Sequence, residues 1–445
     1  MMQLPFFSPG DSADIAAWRH GQDISRGRFA GHVLALAEQL PARGHILNHC
    51  EDRYRFLVAF VAALLRGQVS LFPPNKAPRV LQQLKQNFPD VYCLRDEGDE
   101  LEGMENCAYP DLPAEDGDVT ALAIPADRIA AIAFTSGSTG EPRPYTKTWG
   151  GFVAEAEVAG RALGLRRDEA QHRYLVATVP AQHMYGLITS IILPARFRIA
   201  TGADRPFYPE DIRKAVAARS TPPILVTTPV HIRACVREQT RLPETEFILS
   251  STAPLHAKMA ADAERLFNTR VMEFYGSTET GAIALRRQAE TDVWHTFDDI
   301  QVTLNEGSFE VSAPYFYQSP MVLGDSVEVL DGRNFKLHGR DTELIKVAGK
   351  RAMLGDLNHQ LLSIEGVEDG TFFLPDGDES GREARLIAFV VAPGMSKDDI
   401  VVALRERIDE VFLPRPLKMV NALPRNATGK LPRGNLVQLW RQATA

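Results

Sequence analysis

Eight consecutive residues, Thr135-Ser136-Gly137-Ser138-Thr139-Gly140-Glu141-Pro142, combine four hydroxyls with two glycines. Glycine lets the backbone bend close to a ligand and hydroxyls donate hydrogen bonds, a surface that suits phosphate oxygens. The Gly-Lys-Ser/Thr ending of a Walker A loop is missing. Gly and Ser also fill turns for conformational reasons alone, so the placement of this segment after a strand favours the ligand. A second cluster, Tyr275-Gly276-Ser277-Thr278-Glu279, offers an aromatic face, a close-approach glycine, a hydroxyl and a carboxylate within one turn. These suit adenine, phosphate and magnesium. For Glu279 taken singly, a carboxylate at a helix N-terminus is the competing explanation. Gly324-Asp325 and His338-Gly339-Arg340 add a carboxylate able to hold both ribose hydroxyls and a guanidinium to reinforce it. Finally, residues 423–433 set Lys430 after a glycine and between prolines, where it could reach an anionic reaction centre. From Val411 onward there is no Asp or Glu, while Arg415, Lys418, Arg425, Lys430, Arg433 and Arg441 are basic. A solvated face is the ordinary alternative for such a run.

Positioning these groups requires regular elements ahead of them. Short apolar runs at 129–134, 174–179, 224–226, 247–249 and 270–274 read as strands, and each ends in small polar residues. Residues 256–267 have helix-forming composition between two of those runs, which makes a strand-helix-strand unit and a parallel pair. In open α/β sheets, ligands sit beyond the carboxyl ends of strands, where helix N-termini can also meet anions. The five polar clusters therefore converge on one expected site. Residues 54–66 carry apolar side chains at helical spacing with Gly67 as a stop, and the acidic stretch 96–118 reads as a surface excursion. Beyond Glu310 the pattern turns to short strands, and a smaller strand-and-helix unit begins near Gly339.

Length and composition exclude several classes. A chain of 445 residues with 44% apolar and 24% charged residues suits a packed protein with one large and one smaller domain. No apolar stretch approaches the roughly 20 residues of a membrane span, and no secretory leader is apparent, so a cytoplasmic location is expected. Cys50, Cys93, Cys107 and Cys235 have no short paired spacing, which argues for free thiols over a zinc site or disulfides. The net charge of −8 gives no global attraction to nucleic acid.

Taken together and in this order, the segments beginning at Thr135, Tyr275, His338 and Pro424 resemble the adenylate-forming superfamily of acyl-CoA synthetases, aryl-acid ligases, peptide-synthetase adenylation domains and luciferases. The resemblance implies an α/β fold, with a large multi-layer N-terminal domain of parallel sheets (1–338) and a small mobile α+β C-terminal domain (339–445). It implies ATP and Mg2+ as cofactors. Thr135, Ser136, Gly137, Ser138, Thr139 and Gly140 would hold the triphosphate beside Arg143. Tyr275 would stack on adenine next to Gly276 and a wall of Thr252, Ala253 and Pro254. Thr278 would contact the α-phosphate, Glu279 the magnesium, and Asp325 with Arg340 the ribose. Lys430 would bridge the substrate carboxylate and the α-phosphate. His183, Tyr185 and Gly186, with Thr228 and Ser251, would line the acid pocket, and His183 would also gate the thiol channel. Rotation of the small domain would then bring Lys346, Gly349 and Arg351 to the thiol-acceptor side.

The implied reaction is ATP-dependent conversion of a carboxylic acid to an acyl-AMP with release of pyrophosphate, then thioester formation on coenzyme A or an acyl or aryl carrier protein. Residues 180–186 contain no aspartate to pair with an ammonium, which favours an amine-free aryl or medium acyl acid. Three departures stand out. Arg143 occupies a usual lysine position, Thr252 a usual glycine position, and Thr342-Glu343 replaces the usual acidic pair after Gly339-Arg340. They motivate one alternative, a non-catalytic nucleotide or acyl-ligand sensor on the same fold; an adenylation-only ligase is the other.

Overall fold

The structure, a computed structural model, describes residues 2–96, 98, 100–136, 142–167, 172–340, 344–347, 350–375, 385–426 and 429–444. Side-chain alternation builds its central sheet. In the strand Arg173–Ala177, Tyr174 and Val176 enter one apolar cluster while Leu175 and Ala177 enter another. Strand Ile224–Thr227 repeats this with Leu225 on one side and Ile224 and Val226 on the other. Apolar residues on both faces are what a buried parallel sheet requires. The full sheet has eleven strands, in the order Asp325–Val329, Asn334–Arg340, Val293–Thr296, Gly281–Arg286, Val271–Ser277, Phe247–Ser250, Ile224–Thr227, Arg173–Ala177, Ile199–Gly202, Ile15–Arg19 and Gln22–Ser25. From Val271–Ser277 through Ile15–Arg19 the strands are parallel.

A second sheet of six strands runs Pro142–Thr148, Ile129–Ser136, Val69–Phe72, His45–Asn48, Tyr92–Arg95 and Glu105–Ala108, all parallel except the first. Helix Arg53–Leu65 lies between the two sheets and touches both. From Phe56 to Leu64 every residue on it is buried, the pattern of an interior helix. Each large apolar side chain there contributes about 1.5–3 kcal/mol of burial. Asp52 caps its first turn by accepting the Arg55 N–H at 2.9 Å. Helices Pro209–Ala217, Pro229–Arg237 and Ala257–Phe267 cover the outer face of the large sheet through Ile212, Ile232 and Phe267. Leu81 and Leu84 of helix Pro78–Asn87 cover the smaller sheet. The fold is α/β, with alternating helix and sheet layers.

Later residues form a separate cluster around Leu357, Leu361, Phe372, Ala388 and Ile400. Its three-stranded sheet pairs Asp369–Phe373 with Ile387–Val391 and the latter with Leu417–Met419. Leu423 and Leu436 pack on the opposite face with Phe373 and Phe389, which anchors the basic tail. Among the described residues, no helix is long and apolar enough to cross a membrane. All four cysteines are free thiols.

Strands lie at all five expected places and helices at both. Four differences matter. The strand ending at Ser136 belongs to the smaller sheet, so the polar clusters meet from two sheets. Strand Ile129–Ser136 pairs antiparallel with Pro142–Thr148, and Val271–Ser277 with Gly281–Arg286, so Glu279 lies in a hairpin turn and does not begin a helix. The acidic stretch supplies an edge strand, Glu105–Ala108, and Asp96 accepts the Glu51 and Asp52 amides at 2.8 and 3.0 Å. Strand Ile15–Arg19 joins the large sheet beside Ile199–Gly202, a pairing distant in sequence that no local pattern announces.

Candidate functional site

The hairpin at Tyr275 is shaped by close backbone approach. A Cβ on Gly276 would lie 2.1 Å from the Gly281 carbonyl oxygen, so glycine is required where the arms meet. Ser277 Oγ accepts the Thr280 N–H at 3.2 Å and lies 3.1 Å from its hydroxyl, which closes the turn holding Thr278 and Glu279. The Lys147 ammonium donates to the Glu279 carbonyl at 2.6 Å. Two residues earlier on the same strand, Tyr145 stands beside both Thr135 and Glu279, and burial and then the Glu279 carboxylate raise its phenol. Tyr145, Glu279, Tyr317 and Met321 help line a cavity of about 60 Å³. Among the described residues, no group of three or more His, Cys, Asp or Glu could hold a metal. A single carboxylate fits Mg2+, which keeps waters and takes phosphate oxygens for the rest of its shell.

Next to this hairpin, the Ser251 hydroxyl donates to the Phe274 carbonyl at 2.8 Å, and Thr252 follows at φ +81. Ala253 is half-buried and Pro254 exposed. Glu273 accepts the Leu255 N–H at 3.2 Å and Arg286 Nε at 2.9 Å, which fixes the end of that wall. Arg286 lies 4.1 Å from the Trp294 ring, and Trp294 and Phe335 flank Tyr275 at 5.5 and 5.4 Å. Asp325 and Arg340 are paired across adjacent strands. A left-handed backbone is strained for a β-branched residue, so Thr252→Gly is expected to be neutral or stabilising by up to about 1 kcal/mol. Chemical denaturation checks this, and a loss above about 2 kcal/mol would contradict it.

At the other end of the site, Arg53 is buried and donates to Ser190 Oγ at 2.7 Å and to the Ala177 and Val179 carbonyls at 2.8 and 2.9 Å. Burial lowers its pKa to about 9. It thereby fixes the residues leading to His183, and Gln182 donates to the Cys50 carbonyl at 2.5 Å. Tyr185 donates to the Leu249 carbonyl at 2.8 Å, and a Cβ on Gly186 would lie 2.0 Å from the Pro180 carbonyl oxygen. Thr228 is buried, with its hydroxyl 3.0 Å from His231 Nδ1. Thr178 Oγ1 reaches the same nitrogen at 3.2 Å and Thr227 Oγ1 at 2.9 Å. Burial lowers the pKa of His231 to about 4.

The basic tail closes over these strand ends. Arg425 makes a two-pronged ion pair with Asp369 at 2.8 and 2.9 Å and donates to the Gly429 carbonyl at 3.0 Å. Asn426 Oδ1 accepts the Lys430 N–H at 2.9 Å. Gly429, at φ +79, is seated on Val230, where a Cβ would lie 2.6 Å from Cγ2, with Thr228 Oγ1 at 3.9 Å. Lys430 is exposed, and after burial its charge is the next cause lowering His183 to about 4. His183 is therefore a neutral imidazole at neutral pH.

Lys430, His183 and Thr228 thus gather at one end, Thr135 and Glu279 around Tyr145, and Ser251, Thr252 and Tyr275 between. Gly137, Ser138, Thr139, Gly140 and Gly349 lie outside the described residues. For Ser136, Arg340, Lys346 and Arg351 only the backbone is described. Arg143 is exposed opposite Thr135. Arg53, Tyr145, Lys147, Glu155, Glu273, His231 and Arg425 were not expected. Arg425 sits within an expected site segment and Tyr145 and Lys147 closely follow another, while Asp369 and Glu279, which Arg425 and Lys147 hold, are remote in sequence.

A family model described as AMP-binding enzyme matches residues 30–303. The 4-coumarate–CoA ligase of Halorhodospira halophila is 28% identical over 308 residues, covering 67% of this chain and 73% of its own. The 3,4-dihydroxybenzoate–[aryl-carrier protein] ligase of Bacillus anthracis is 24% identical, covering 69% of this chain and 73% of its own. The o-succinylbenzoate coenzyme A synthetase of Bacillus subtilis, solved with AMP, superposes with a TM-score of 0.78 at 18% identity over 95% of both chains. The same enzyme has also been solved with ATP and a magnesium ion. With the matched segment covering more than half of the chain, this protein belongs to the AMP-binding enzymes, the adenylate-forming superfamily.

Proposed function

We propose that the protein is an AMP-forming acid–thiol ligase that activates an amine-free aryl or medium acyl acid as its adenylate and transfers the acyl group to coenzyme A or a carrier-protein phosphopantetheine. The placement of Lys430 carries this proposal: the Arg425–Asp369 brace seats it over the strand end that bears Thr228, beside a neutral His183. In that position its ammonium meets both the acid carboxylate and the α-phosphate, offsetting their repulsion and stabilising charge as carboxylate oxygen attacks phosphorus and pyrophosphate leaves. Thr278 contacts the α-phosphate, Tyr275 the adenine, and Asp325 with Arg340 the ribose. Thr135 through Gly140, with Arg143, holds the departing phosphates. Glu279 would hold Mg2+, which neutralises charge on the phosphate oxygens.

Tyr185, Gly186, Thr228 and Ser251 border the acid, and a neutral His183 admits an uncharged pantetheine arm without a desolvated cation opposing it. The large unit, which keeps strand Asn334–Arg340, and the small unit that follows it act as two bodies whose relative rotation replaces Lys430 by the segment of Lys346, Gly349 and Arg351 for the thiol step. The relatives' names support either thiol acceptor. Exchange of labelled pyrophosphate into ATP across aryl, fatty and amino acids tests the substrate class. Exchange with aryl or medium acyl acids is expected, and exchange with amino acids alone would overturn it. Mass measurement with coenzyme A and with a carrier protein then identifies the acceptor.

A further inference from the structure

One continuous piece of chain grips the Glu279 turn from two sides. Strand Pro142–Thr148 leaves the phosphate segment and presents Tyr145 and Lys147 on the same face. Lys147 donates to the Glu279 carbonyl at 2.6 Å. Thr148 then caps helix Trp149–Ala162, accepting the Gly151 N–H at 3.1 Å. In its second turn, Glu155 is only 3% exposed and accepts the Ala282 N–H at 2.7 Å. Gly281, at φ +79, lets the turn approach so closely that a Cβ there would lie 2.3 Å from Glu155 Oε1. Glu155 is buried and Lys147 half-buried, and keeping two ionisable groups here costs free energy that an apolar pair would not require.

We propose that Lys147 and Glu155 are positioning residues that clamp the Glu279 turn to strand Pro142–Thr148 and helix Trp149–Ala162, so that the metal-holding carboxylate is held at one backbone position. This rests on the assignment of Glu279 to the metal. Lys147 fixes the carbonyl of Glu279 itself and Glu155 the amide three residues on. With both ends held, the carboxylate starts from one backbone position relative to the triphosphate. Without Lys147 the turn keeps its strands but loses that alignment.

Calorimetric titration of the full chain with ATP, once with excess Mg2+ and once with chelator, tests the clamp. Lys147→Met is expected to weaken Mg-ATP binding about tenfold, in the range seen when partners behind a metal ligand are removed. Binding of metal-free ATP and the KM for the acid stay unchanged, and Lys147→Arg restores most of the loss. If Lys147→Met fails to fold, the same comparison is made with Glu155→Gln, and with Lys147→Met combined with Glu155→Gln, which removes both ionisable groups. Unchanged Mg-ATP affinity in a folded variant, or equal weakening with and without metal, overturns the clamp alone. A wild-type protein whose ATP affinity ignores Mg2+ overturns both the clamp and the assignment of Glu279.

Discussion

Replacing Lys430 by alanine is expected to lower acid-dependent pyrophosphate release by about 10²–10³-fold, the scale for removing one preorganised donor from a developing charge. The side chain is exposed on a turn whose hold comes from Arg425 and Asn426, so the variant folds normally. Thioester formation from a supplied acyl adenylate should persist, because the bond that Lys430 helps to make is already present. Lys430→Arg is not a neutral exchange, since a planar guanidinium cannot replace a compact ammonium between two anions. Pyrophosphate release and single-turnover thiol transfer, measured side by side, check the outcome. Equal loss in both half-reactions would remove Lys430 from its assigned step.

Arg53→Met is expected to destabilise the protein by about 3 kcal/mol and to raise the KM for the acid. Two effects oppose one another at this site. Removing a buried guanidinium relieves the cost of burying its charge, while the Ala177 and Val179 carbonyls and the Ser190 hydroxyl lose their donor. Three orphaned acceptors at about 1–3 kcal/mol each outweigh that relief. The functional effect follows from geometry, because the same bonds hold the end of strand Arg173–Ala177 from which the chain runs to His183. Chemical denaturation and acid titration check both parts. A change below about 1 kcal/mol would show that water or neighbouring groups satisfy those acceptors.

The sequence made the strand ends legible because each pairs a short apolar run with an abrupt change to Gly, Ser, Thr and Pro. Lys430 was legible because it stands alone after a glycine in an acid-free tail. What supports these groups was not. Arg53 looks like an ordinary helix-start residue until the fold brings Ala177 and Ser190 to it. Glu155 lies in a helix with no visible partner before Gly281 approaches from more than a hundred residues away. Glu279 was open to a helix-terminus explanation because a hairpin turn and a helix start share the same residues, and only the antiparallel pairing of Val271–Ser277 with Gly281–Arg286 decides between them. Thr252 was legible as a substitution for glycine, and its φ of +81 shows that the backbone kept the shape glycine would favour.

The central claim is acid activation through an adenylate. Its most direct measurement is mass detection of the enzyme-bound product after one turnover with ATP, Mg2+ and an aryl or medium acyl acid, without any thiol. An acyl-AMP formed with an equal amount of pyrophosphate, and formed about 10²–10³-fold more slowly with Lys430→Ala, is the expected result. Bound ATP left intact with every acid, or ADP in place of AMP, would contradict it.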